Sequence, residues 1–79
     1  MRIVSDYGLV RIVHEGDPFN NVYDIRVESR DSIDNEWCLF HGFNTLSDDY
    51  AYTNSREAAA RAIRQIAARV ANKIQGVAN

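Results

Sequence analysis

At 79 residues, with 46% hydrophobic side chains and a net charge of −2, the chain fits one domain (1-79) with one core and is too apolar to be read as disordered. So small a domain buries only slightly more than offsets its ordering entropy, roughly 1.5 kcal/mol per residue, which disfavours a deep catalytic cleft and favours a surface function. The single cysteine, Cys38, excludes an intrachain disulfide and a cysteine zinc set and fits a reducing, cytoplasmic compartment. No apolar core of a secretory signal and no run of membrane-spanning length is visible, so neither export by that route nor insertion is expected.

Arg2 to Ser5, the Asp6-Tyr7-Gly8 turn and the β-branched run Leu9 to His14 predict a strand or a bent strand pair. Glu15 to Asn21 (EGDPFNN) concentrates Gly, Asp, Pro and Asn and predicts a loop. Val22 to Arg30 alternates, with Tyr23, Ile25 and Val27 on one side and Asp24, Arg26 and Glu28 on the other, the period of a half-buried strand. After a polar turn at Asp31 to Asn35, Glu36 to Phe43 (EWCLFHGF) is apolar on both faces and predicts a central strand, with Cys38 a small buried hydrophobe. A loop over Asn44 to Asp49 leads to Tyr50 to Tyr52, which fits a short edge strand.

From Asn54 the period changes. Asn54 with Glu57 forms a capping box, or Ser55 caps instead, and Ala59, Ile63, Ile66, Val70, Ile74 and Val77 recur at steps of three and four on one helical stripe ending near Gln75 and Gly76. The predicted fold is α+β: a three- to four-stranded antiparallel sheet packed against one C-terminal amphipathic helix. Burial of the stripe from Ala59 to Val77 on the sheet is expected to hold it together.

Charge is distributed unevenly. Residues 1 to 54 hold four arginines against ten acids, a balance of −6, and residues 55 to 79 hold five basic groups against Glu57 alone, a balance of +4. The bland explanation is that charges coat the solvated side of each element. A sharper one makes Asp31, Asp34 and Glu36, with Asp48 and Asp49, a negative patch that fills a cationic groove on a partner. Another makes Arg61 and Arg64, opposite the apolar stripe, a ridge for phosphates or an acidic protein. The net negative charge weighs against free nucleic-acid binding.

Hidden chemistry is sparse. His14 and His41 with Cys38 could be arranged as metal ligands or a Cys-His pair, but three residues of strand put Cys38 and His41 on opposite faces, and no metal or cofactor is expected. Asp48-Asp49 reads as a turn pair rather than an acid-base pair, and the four glycines are isolated, so no phosphate loop exists. Trp37, Phe40, Phe43, Tyr50 and Tyr52 read first as packing. Tyr50 and Tyr52 at an edge and Phe19 in a polar loop are also candidate interface anchors. An enzyme is not expected.

A sheet followed by NSREAAARAIRQIA resembles the last part of a double-stranded-RNA-binding domain, whose final helix contacts phosphates, although that domain's first helix is missing and Arg56-Glu57 stands where it carries a lysine pair. The order of elements is similar to that of antitoxin domains of the HicB type, which would imply a dimer paired through the Tyr50 to Tyr52 edge. Size, charged loops and the SREAAARAIRQIAARV helix also resemble the anti-CRISPR proteins of phages and mobile elements. That resemblance implies a non-enzymatic inhibitor, in the host cytoplasm, that blocks a nucleic-acid-binding surface of a bacterial protein or ribonucleoprotein, a Cas effector complex. The expected contact residues are Asp31, Asp34, Glu36, Asp48, Asp49, Tyr50, Tyr52, Arg61 and Arg64, on a monomer or homodimer that does not enter a membrane.

Overall fold

The computed structural model describes residues 1–78, and side chains as far as Gln75. Strands β1 (Arg2–Asp6), β2 (Val10–His14), β3 (Ile25–Ser29) and β4 (Cys38–Phe43) are followed by one helix, α1 (Ala51–Ala78). The strands form an antiparallel meander in the order β1-β2-β3-β4, so each predicted turn connects neighbours and the α+β fold is as expected. The first turn needs Gly8, whose φ of 85° suits a residue without Cβ, and Asp6 closes it by accepting the Gly8 N–H at 2.8 Å.

Helix and sheet meet in a core built from alternate positions of two strands, Val10 and Ile12 of β2 and Ile25 and Val27 of β3. Ala51, Ala58, Ala59 and Ala62 of α1 lie against them, and Phe40, Phe43 and Ile66 close the margin. Alanine at four contact positions lets the helix axis approach the sheet closely. The opposite face of the sheet is ionic: Arg11 reaches Glu28 at 2.7 Å, and Arg26 reaches Glu15 at 2.6 Å and Glu28 at 3.6 Å. Trp37 lies between two guanidinium groups, Arg11 at 4.4 Å and Arg30 at 4.1 Å from its ring centre.

Several sequence expectations are corrected. The third strand begins at Ile25 rather than Val22, because the Asp24 side chain turns inward: fully buried, it accepts bonds from Thr45 N (2.9 Å) and Thr45 Oγ1 (2.6 Å) and so leaves the alternation. Tyr23 lies over the backbone of Gly42, where a Cβ would collide with its ring. The fourth strand is an edge rather than a centre, with a register shift opposite Val27 and Glu28, and Cys38 is exposed rather than buried. Tyr50 to Tyr52 is no strand, so it supplies no edge for dimer pairing. The helix starts at Ala51, three residues before the predicted cap, because Asp48 fastens the first turn, accepting from Tyr50 N at 2.9 Å and Asn54 Nδ2 at 2.9 Å. Asn54 and Ser55 therefore sit inside the helix, Ser55 donating its hydroxyl to the Tyr52 carbonyl at 2.7 Å.

The largest correction concerns the apolar stripe. A five-residue strand spans about 17 Å, whereas a 28-residue helix spans about 42 Å. Full burial along α1 accordingly stops at Ala62 and partial burial at Ile66. Along the apolar stripe itself, exposure rises from 40% at Ile63 through 49% at Val70 to 65% at Ile74. The second half of the helix overhangs the sheet, in keeping with overall dimensions of 51 × 23 × 17 Å. The side chain of Val77 lies outside the described residues.

Candidate partner-binding surfaces

The antiparallel meander sends its connections to opposite ends of the sheet, and this divides the sequence-predicted contact residues. Asp31, Asp34 and Glu36 lie in the β3–β4 loop, at the end where α1 leaves the sheet. Asp48, Asp49, Tyr50 and Tyr52 lie at the other end, where α1 begins. Arg61 and Arg64 are exposed on the helix between them. The structure therefore makes two acidic ends instead of one patch.

At the β3–β4 end the acids do not stand alone. Arg69 Nη1 lies 3.2 Å from Asp31 Oδ1, and an open cleft of about 510 Å³ between this loop and the helix is lined by Arg30 and Arg69 as well as Asp31 and Glu36. Arg30 also holds the loop by donating to the Gly8 carbonyl at 3.1 Å and the Ile33 carbonyl at 3.0 Å. Mixed charge in one shallow cleft weakens its field, since exposed opposite charges screen one another.

The other end is built differently. Phe19 and Val22 in the β2–β3 loop and Leu46 and Tyr50 in the β4–α1 connection are all large, apolar and open to solvent, with exposures from 57% at Leu46 to 82% at Phe19. The two segments adjoin because the Asn44 side chain bridges them: its Nδ2 donates to the carbonyls of Pro18 (3.0 Å), Asn21 (3.0 Å) and Val22 (3.3 Å), while its Oδ1 accepts from Leu46 N at 2.9 Å. The Asp24–Thr45 bonds make a second tie beneath. Asp17 stiffens the β2–β3 loop from within, accepting from Asn20 Nδ2 at 2.6 Å and from Phe19 N at 3.1 Å. These bonds, that from the Asn20 side chain first, hold its carboxyl below the usual aspartate range. Exposed apolar side chains on loops fixed by buried or charge-assisted bonds form a contact surface whose ordering cost has been met during folding.

Tyr50 and Asp49 are exposed at this end. Asp48 is occupied instead: both its carboxylate oxygens serve the helix start. Tyr52 faces the sheet, its hydroxyl 3.5 Å from His14 Nε2, which lies 4.0 Å from Asp24 Oδ2. The pocket beside it, about 80 Å³ between Ile12, Ile25 and Ser55, is smaller than the several hundred Å³ usual for a small-molecule site. Cys38 and the two histidines are not brought together, and no group of three or more candidate metal ligands occurs among the described residues. Val22 and Leu46 escaped sequence reasoning because each sits beside polar turn residues and looks like a strand end or a turn filler. The available signal was Asn44, a residue whose amide can bridge two loops.

No helix among the described residues is long and apolar enough to cross a membrane. No protein-family model matches the chain, and searches of curated proteins and of solved structures returned no match.

Proposed function

We propose that the chain is a non-enzymatic protein-binding domain that grips its partner with the loop end formed by Phe19, Val22, Leu46 and Tyr50. The observation that carries this reading is the braced cluster of four exposed apolar side chains at that end. Aromatic anchors near the centre of an interface supply most of its affinity, and Phe19 and Tyr50 are placed for that role. Asp17 and Asp49 beside them give the surface a negative rim, which suits a basic partner. In its most concrete form the domain is an anti-CRISPR-type inhibitor that covers a nucleic-acid groove of a bacterial effector complex.

The test pairs a purified CRISPR effector complex with this protein and with its Phe19→Ala/Tyr50→Ala variant, scoring both binding and the complex's capture of target DNA. The expected result is loss of DNA capture with the parent and at least a tenfold weaker effect with the variant, whose melting temperature should stay within a few degrees because both side chains are solvent-facing. Equal inhibition by both proteins would exclude the loop end as the contact. No inhibition by either across effector types would remove the anti-CRISPR form.

A second reading rests on Arg56, Arg61 and Arg64, which are exposed and carry no ion pair among the described residues. Arg61 and Arg64 form a ridge suited to phosphates, with Arg56 on its flank. Titration of duplex RNA and DNA at two salt concentrations separates the readings, since phosphate binding predicts a steep salt slope that Arg61→Ala/Arg64→Ala abolishes.

A further inference from the structure

The sheet offers more apolar surface than one helix covers. Four strands at about 4.8 Å spacing make a layer roughly 19 Å across, enough for two helices of about 10 Å diameter. Helix α1 lies on β2, β3 and β4 and leaves the inner side of β1 open, so Val4 is 44% exposed beside it. An apolar groove of about 210 Å³ runs along this flank, between Tyr7 and Leu9 of the β1–β2 turn and Ile63, Ile66 and Ala67 of the helix. The same helix carries Val70 and Ile74 past the end of the sheet, where they are 49% and 65% exposed.

We propose that the overhanging half of α1 docks in this groove of a second copy of the chain, in a two-fold antiparallel pairing that crosses near Ala67 and Ala68. About that centre Ile63 of one copy meets Ile74 of the other, and Ile66 meets Val70. Every large apolar side chain of the stripe beyond Ala62 whose position is described thus gains a partner. Ala67, beside Ile63 and Ile66 at the crossing, is small enough for the helix axes to approach within the usual 8–10 Å.

Charge selects the occupant and its direction. After Glu57 the helix has no acid, and its overhang carries Arg69 and Lys73. A parallel pair would set these cations beside their own copies. The antiparallel pair carries Lys73 back to the level of Ile63 in the partner, beside the turn bearing Asp6, at the end of the sheet that also holds Asp31, Asp34 and Glu36. The basic half of each copy thereby meets the acidic half of the other, which uses the −6 and +4 imbalance of the chain within the dimer. The contact leaves the loop end of Phe19 and Tyr50 free in both copies.

The test is sedimentation equilibrium of the full chain across micromolar to millimolar concentrations. A species at twice the 9.0 kDa chain mass is expected, with a dissociation constant that rises with salt. Val70→Gln/Ile74→Gln, chosen because glutamine favours a helix and both sites are exposed in one copy, should raise that constant at least tenfold with unchanged helical circular dichroism. Direction is read by mixing an Ile63→Cys copy with an Ile74→Cys copy, both lacking Cys38. Oxidation should link position 63 to position 74. Disulfides between like positions only would overturn the pairing, as would a monomer at all concentrations or a dimer that Val70→Gln/Ile74→Gln leaves as tight as before. Binding to anionic vesicles or to a foreign protein by a chain that stays monomeric would assign the stripe to that occupant instead.

Discussion

The two halves of α1 are written in nearly the same alphabet and meet different fates. Between Ala51 and Ala62 the buried positions are alanines and one serine, and they sit flush on Ile12, Ile25 and Val27. Beyond Ile66 the stripe carries larger apolar groups, Val70 and Ile74, and these face solvent. Periodicity reports which side of a helix is apolar; it does not report how far the surface opposite extends. Small residues mark the half pressed against the sheet, and bulkier ones mark the half that reaches past it.

Charging each half gives the sharpest contrast. Ala58→Asp puts a carboxylate at a fully buried position, an insertion worth more than about 4 kcal/mol, against a total stability of roughly 4–12 kcal/mol for a domain of this size. Chemical denaturation should find that variant largely unfolded, whereas Val70→Asp, measured at a concentration low enough to keep the chain a single copy, should change stability by no more than about 0.5 kcal/mol. Comparable losses would mean that the overhang is packed in the single copy. The boundary between the halves is probed by Ile66→Ala, where partial burial predicts a loss of about 1–2 kcal/mol, below the range for a fully enclosed isoleucine.

Acid tests the comparison by another route. The bond from Arg26, then its charge, holds the Glu15 carboxyl below the ordinary glutamate range, and Asp17 is likewise held low by Asn20 and neighbouring backbone N–H groups. Both contributions are present above the unfolded-state values and are lost as pH falls through the lower folded ones, so stability should decline on the acid side of the carboxylate range. Asp17→Asn should flatten that decline, and shortening the overhang should not, because it contains no acid. The smallest effect is expected for Arg69→Ala: its ion pair with Asp31 is more than half exposed on both sides, and such pairs contribute about 0–1 kcal/mol. A larger loss would show that this pair tethers the overhang to the β3–β4 loop.

The strands and the helix were legible because each rests on local pattern: Ile25, Arg26, Val27 and Glu28 alternate, and Ala59, Ile63 and Ile66 recur at helical steps. What escaped depends on contacts distant in sequence. Asp24 looks like the polar side of a strand until Thr45, 21 residues away, supplies two donors. Cys38 reads as buried because its neighbours are apolar, yet β4 lies at an edge. Asp48 as a helix fastener was masked by Asn54 and Ser55, better caps by residue type but placed after the helix has begun. The candidate surface was visible in Phe19 and Tyr50, while its unity depended on Asn44 and could not be seen without the fold.

The lone tryptophan lies on the layer away from the helix, clamped by Arg11 and Arg30. Its fluorescence is therefore a private witness to the ionic layer, largely insensitive to whatever α1 is doing. Far-ultraviolet dichroism follows the helix. Coincident melting curves from these two signals would mark the molecule as a single cooperative unit; divergence would reveal which layer lets go first.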